Sequence, residues 1–145
     1  MPEEAVEVVR SLLGPFEGID VAAVDWGAEP IQELLAGACT PDVELRTLES
    51  GAGTGVDAEY RGVDGVARYL RDWIGPFGEY HAEFGEYVQL GDFVLVPVRN
   101  WGIGSGSGAR TELELVYACE VKDGRITRLF QYDTVEDARA ALADG

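Results

Sequence analysis

The chain has 145 residues, 27 of them acidic and 11 basic, for a formal net charge of -16, and 46% of it is hydrophobic. That length suits one domain, residues 1–145, and so much apolar content is foreign to disordered chains. The negative charge repels phosphate backbones and anionic membrane surfaces, and no segment approaches the roughly 18 apolar residues of a membrane span, so neither nucleic-acid nor membrane partners are expected.

The start, Met1-Pro2-Glu3-Glu4, lacks the basic flank and apolar run of a secretory signal, which predicts a cytoplasmic protein. Cys39 and Cys119 then read first as small buried hydrophobes, with a disulfide or a reactive thiol as the other readings. With one histidine and no paired Cys/His spacing, no metal site is predicted.

From Glu3 to Leu13, Ala5, Val8, Val9, Leu12 and Leu13 recur at helical spacing, and Gly14-Pro15 ends the pattern. Residues 19–28 are ambiguous. A second helix follows with Pro30 in its first turn and Ile31, Leu34, Leu35 and Ala38 on one face, stopped by Thr40-Pro41. Val43 to Leu48 alternates as a short strand, and the glycine-rich Glu49 to Asp57 predicts a mobile loop or lid. Asp64 is suited to cap a third helix with Val66, Tyr69, Leu70, Trp73 and Ile74 on one side, ended by Gly75-Pro76.

The remainder predicts long strands with turns at Gly91-Asp92, Gly104 to Gly108 and Lys122-Asp123-Gly124, then a helix from Val135 to Leu142. Helices first and sheet afterwards imply an α+β domain. The expected architecture is a cone, a curved antiparallel sheet wrapped around about three helices with a cavity between them.

Three stretches carry a family resemblance: Thr40-Pro41-Asp42-Val43-Glu44, YRGVDGVARYLRDW from Tyr60 to Trp73, and KDGRITRLFQYD from Lys122 to Asp133. Across nearly its whole length the chain resembles the nuclear transport factor 2-like superfamily, in particular its SnoaL-like branch. That group includes polyketide cyclases, ketosteroid isomerase and limonene epoxide hydrolase. The resemblance implies the cone fold, no cofactor, homodimerisation through the outer sheet face and a hydrophobic small-molecule partner. A dimer would also cover Val116, Ala118, Phe130 and Tyr132, which otherwise leave apolar groups exposed.

Polar residues on an apolar strand parity mark the candidate site. Glu86 is the exception on the parity of Tyr80, Ala82, Phe84, Val88 and Leu90; it reads as a buried acid or as the product of a bulge. Arg99 and Trp101 share a parity with Phe93, Leu95 and Pro97 and could hold an anionic oxygen, or Arg99 could pair with a surface acid. Tyr117 is a candidate hydroxyl donor, or a packed core tyrosine. Thr127, Leu129, Gln131 and Asp133 share one side of the last strand, and SnoaL-like cyclases are similar in placing a catalytic aspartate near that strand's end. Asp133 or Thr134 could instead cap the final helix. His81 reads as solvated.

The chain also departs from the patterns it resembles. The isomerase aspartate falls at Thr47 or Arg46, the epoxide hydrolase acid at Gln131, and Arg99-Asn100-Trp101 carries tryptophan where that pattern has its second acid. An amide cannot take a proton from water as a carboxylate does. The expectation is therefore a cofactor-free isomerase or cyclase acting on a polyketide-like carbonyl compound. Asp133 and Tyr117 would be catalytic, with Trp73, Tyr69, Arg99, Trp101, Gln131 and Glu86 lining the site. The alternative is a non-catalytic binding or dimerisation module.

Overall fold

Three helices supply one layer, each because its apolar residues fall on a single face. The computed structural model describes residues 2–47 and 59–143, so the glycine-rich stretch expected to form a loop or lid lies outside the described residues. Helix α1 (Pro2–Leu13) buries Val9 and Leu12 and passes into a single 3-10 turn at Gly14–Phe16. The ambiguous stretch holds another such turn, Val21–Ala23, where the Asp20 carboxylate accepts from the Ala22 N–H at 3.0 Å. Helix α2 (Glu29–Ala38) has Pro30 in its first turn, where the missing N–H costs nothing, and buries Leu35 and Ala38.

Helix α3 (Gly62–Ile74) buries Val66, Ala67, Tyr69 and Ile74. Asp64 is not its cap. The helix starts after Arg61, and Asp64 sits in the first turn, where a carboxylate favours the positive end of the helix dipole.

The strands are β1 (Cys39–Arg46), β2 (Glu59–Arg61), β3 (Phe77–Phe84), β4 (Val88–Leu90), β5 (Phe93–Gly104), β6 (Arg110–Lys122) and β7 (Arg125–Tyr132). Among the described residues they form one unclosed, curved sheet in the order β2-β1-β7-β6-β5-β3, with β4 also on β5. It is not wholly antiparallel. β1 runs parallel to β7, the rest of the sheet serving as the long crossover that parallel pairing requires. The β6–β7 hairpin turns on Asp123 (φ 53°) and Gly124 (φ 79°), the left-handed pair that suits strand twist.

The strand expected from Glu79 to Leu90 is broken. β3 leaves β5 after Phe84↔Val98 and β4 rejoins at Val88↔Leu95, so residues 85–87 bulge out opposite Pro97. There the Gly85 N–H donates to the Pro97 carbonyl at 2.8 Å.

The concave face carries Val43, Leu45, Val94, Val96, Val98, Leu115, Cys119, Ile126 and Leu129, which pack against the three helices as the main core. Both cysteines are free and buried, and burial pushes the Cys39 thiol up to about 11, so they act as small core hydrophobes. Part of the convex face is covered by the chain itself. Helix α4 (Val135–Ala143) sets Ala138 into a cluster with Leu95, Val116 and Ala118. Val116 and Ala118 are therefore buried and Phe130 and Tyr132 half-buried, which corrects the expectation that all four would be exposed without a second chain.

Candidate functional site

Between the helices and the concave face lies a cavity of about 100 Å³. Its walls come from α1, both 3-10 turns, α2, α3 and the inner sides of β1, β3, β5, β6 and β7. Most of the lining is aliphatic or aromatic, including Phe16, Trp26, Trp73 and Leu129.

Five polar residues interrupt that lining: Tyr69, Tyr80, Asn100, Tyr117 and Gln131. The Gln131 amide donates to the Tyr69 hydroxyl oxygen at 2.5 Å, joining β7 to α3 across 62 positions of sequence. The Trp73 indole N–H donates to the Tyr80 hydroxyl oxygen at 2.7 Å. Tyr80 is fixed further by its backbone N–H, which donates to the Asp20 carboxylate at 3.0 Å. The Asn100 amide lies 3.5 Å from the Leu113 carbonyl.

Burial dominates the electrostatics. It raises the Tyr69 and Tyr117 hydroxyls well above the usual tyrosine value and pushes Tyr80 up to about 12, so all three phenols stay protonated at neutral pH. No Asp, Glu, His, Lys or Arg among the described residues lines the cavity. The described walls offer hydrogen bonds and aromatic faces, with neither an ionised base nor a counter-charge for an ionic ligand.

Of the residues expected at the site, Tyr69, Trp73, Tyr117 and Gln131 are brought together there. The other four lie elsewhere. Arg99 and Trp101 do share a strand face, but it is the convex one: Arg99 is 62% exposed and 4.0 Å from Glu114. Trp101 stacks on His81 with ring centroids 4.2 Å apart, and the Arg110 guanidinium lies 4.5 Å from its ring. His81, expected to be solvated, is half-buried in that stack, its Nε2 at 2.8 Å from the Glu79 carboxylate. Glu86 is exposed in the bulge between β3 and β4.

Asp133 is exposed because β7 ends at Tyr132 and the chain turns away before the next inward position. It lines a separate groove on the convex side with Glu83, Arg99 and Glu114. Thr134 is the cap of α4, its hydroxyl accepting from the Asp137 N–H at 3.0 Å. The expected catalytic pair, Asp133 with Tyr117, is thus not assembled.

Sequence reasoning missed Tyr80, Asn100 and Trp26 as lining residues. Asn100 carried a signal: it is the polar exception on the parity of Val94, Val96 and Val98, all buried against the core. Trp26 sits in an irregular stretch where no periodicity assigns a face.

The model of the SnoaL-like domain matches residues 22–129. No curated protein matches the chain significantly in sequence. Among solved structures, TerC co-crystallised with polyporic acid is similar over 98% of this chain and 99% of its own, with 21% identity and a TM-score of 0.70. An NTF2-like protein of unknown function from Burkholderia pseudomallei K96243 is similar over 94% and 95%, with 15% identity and a TM-score of 0.70. An LEH-like epoxide hydrolase of M. tuberculosis is similar over 99% and 92%, with 21% identity and a TM-score of 0.63. At these identities the likeness is one of fold, and fold alone does not fix chemistry.

Proposed function

The chain belongs to the SnoaL-like domain family, and we propose that within this scaffold it is a binding protein for a neutral, hydrophobic ring compound held inside the cone. One observation carries the reading: a cavity lined by aliphatic and aromatic side chains whose polar interruptions are three protonated phenols and two amides, with no ionised side chain among the described residues. An ion entering such a site loses its hydration without a counter-charge, whereas a neutral apolar molecule gains by leaving water. The co-crystallisation of TerC with polyporic acid supports a small organic ligand for a cone of this kind.

A second reading, cofactor-free isomerisation or cyclisation of a carbonyl compound, is favoured by Tyr117, whose hydroxyl can donate to a carbonyl oxygen as an enol forms. Asp133 is not the base in that reading, because it lies on the convex side. Thermal-shift titration against matched neutral ketones and carboxylates tests the first reading. A neutral ligand at 100 times its dissociation constant adds about 2.7 kcal/mol of stability. Stabilisation by ketones and silence from carboxylates is expected, and silence from both would refute it.

A further inference from the structure

The cavity is smaller than the ligand its chemistry suits. About 100 Å³ is open inside the cone, whereas a benzene ring is held by a cavity of roughly 150 Å³ and drug-sized ligands by roughly 300–1,000 Å³. A ring compound therefore enters only if one wall gives way. The sheet is held by strand ladders and the helices by their own repeating bonds. Residues 14–28, which supply Phe16, Val21 and Trp26 to the lining, have neither. The backbone N–H groups of Glu17, Ala23, Val24 and Ala28 each donate to the carbonyl three residues back, which stiffens this strap without anchoring it. Its far side is solvent: Gly18, Ile19, Ala23, Asp25 and Gly27 are exposed.

The anchor lies at the free edge of the sheet. Among the described residues β3 is an edge strand, and its outward N–H groups would otherwise meet water. Instead the Glu17 carboxylate accepts from the Phe84 N–H at 2.8 Å and the Asp20 carboxylate from the Tyr80 N–H at 3.0 Å, with an isolated bridge, Glu17↔Ala82, between them. At the other end the Gln32 amide donates to the Trp26 carbonyl at 2.8 Å and ties the strap to α2. Glu17 is exposed and Asp20 half-buried, so water competes for both acceptors and their release costs less than breaking a core hydrogen bond.

Resting on the binding reading above, we propose that residues 14–28 are a movable wall, latched to β3 by Glu17 and Asp20, whose release enlarges the cavity to admit a ring compound. The latched form is the resting state, and the released form is the one that binds. Apparent affinity is then the intrinsic affinity reduced by the fraction of chains released, so weakening the latch tightens binding. A contact that merely supports a rigid wall does the opposite.

The test compares tetralone, a bicyclic ketone, with xenon, a single atom that small apolar cavities hold as they stand. Dissociation constants are measured on the intact protein, by calorimetric titration for tetralone and by NMR shift for xenon. In Glu17→Ala tetralone binds about fivefold tighter, the factor that loss of one hydrogen bond allows, while xenon binds as before. Asp20→Ala shows the same gain for tetralone, and Glu17→Gln, whose amide oxygen still accepts, returns to the natural value. Amide hydrogen exchange supplies a second readout: tetralone accelerates exchange at Tyr80 and Phe84, because the complex holds the latch open. Tetralone affinity unchanged or weaker in both alanine variants, an equal gain for xenon, or exchange at Tyr80 and Phe84 that tetralone does not accelerate each overturns the movable wall while leaving binding in the cone in place. Failure of both probes to bind the natural chain and the variants overturns the binding reading with it.

Discussion

Gly102→Ala presses on Tyr80, one of the residues in the wall of the cavity. Gly102 lies on the concave face of β5 opposite Tyr80, and an added Cβ would fall 2.6 Å from Phe77 Cδ1 and 2.9 Å from Tyr80 Cδ2. Contacts that short force movement. Tyr80 is held at its backbone by Asp20 and at its hydroxyl by Trp73, so Phe77, which is half-buried, must give way first. Overpacking of this kind costs about 1–3 kcal/mol. For a domain of this size that is roughly 3–10 °C in melting temperature. Gly37→Ala is the matched control: its Cβ meets nothing within 4 Å on the exposed side of α2, and removing a helical glycine is worth about +0.5–1 kcal/mol. Both variants are compared by calorimetric melting. A fall for Gly102→Ala with a rise for Gly37→Ala is expected, and an unchanged melting temperature in Gly102→Ala would refute the argument that Tyr80 and Phe77 lean on a bare backbone.

Three further outcomes follow from the same geometry. Asp133→Asn leaves ligand affinity unchanged in a binding titration, because Asp133 is exposed on the convex side; a loss of several-fold would return it to the site. Stability falls on the alkaline side: Tyr80 holds its proton up to about 12 when folded and releases it near 10 when unfolded, so its contribution is complete below pH 10 and lost as pH rises towards 12. For Tyr80 alone those two pH steps amount to about 3 kcal/mol, and the buried Tyr69, Tyr117 and Cys39 deepen the fall, which is read by denaturant titration across pH 9–12 with phenolate absorbance followed in parallel. Ala138→Asp puts a carboxylate into the fully buried contact of α4 with Leu95, Val116 and Ala118, releases the helix and bares an apolar face. Its apparent mass by light scattering should rise with concentration; a mass that stays at one chain with α4 shown to be detached would mean the convex face needs no cover.

Much of this architecture is written in periodicity. Val9 and Leu12, Leu35 and Ala38, and Val66, Tyr69 and Ile74 fall where helical spacing puts them, and Asp123-Gly124 announces its hairpin. The faces of the sheet are harder to read. Arg99 and Trp101 were paired correctly, but α4 buries Leu95 on the convex side as fully as Val94 and Val96 are buried on the concave side. When both parities of a strand are apolar, alternation says which residues travel together and not which way they point. Glu86 and Asp133 follow the other readings their positions offer, a bulge and the approach to the final helix. The bulge opposite Pro97 and the end of β7 at Tyr132 are single-residue events, and one residue is enough to turn a side chain from core to solvent. The links Gln131 to Tyr69 and Trp73 to Tyr80 are tertiary and leave no mark on local pattern.

The central claim, that the cone interior is where a neutral ligand is held, is tested most directly by calorimetric titration of tetralone into the natural chain and into Ala82→Leu. Ala82 is a buried lining residue, and leucine adds three carbons to a cavity of about 100 Å³. Binding to one site per chain that is lost in Ala82→Leu, with the variant still folded by near-ultraviolet circular dichroism, is the predicted result. Undiminished binding in the filled variant would place the ligand outside the cone and contradict the account.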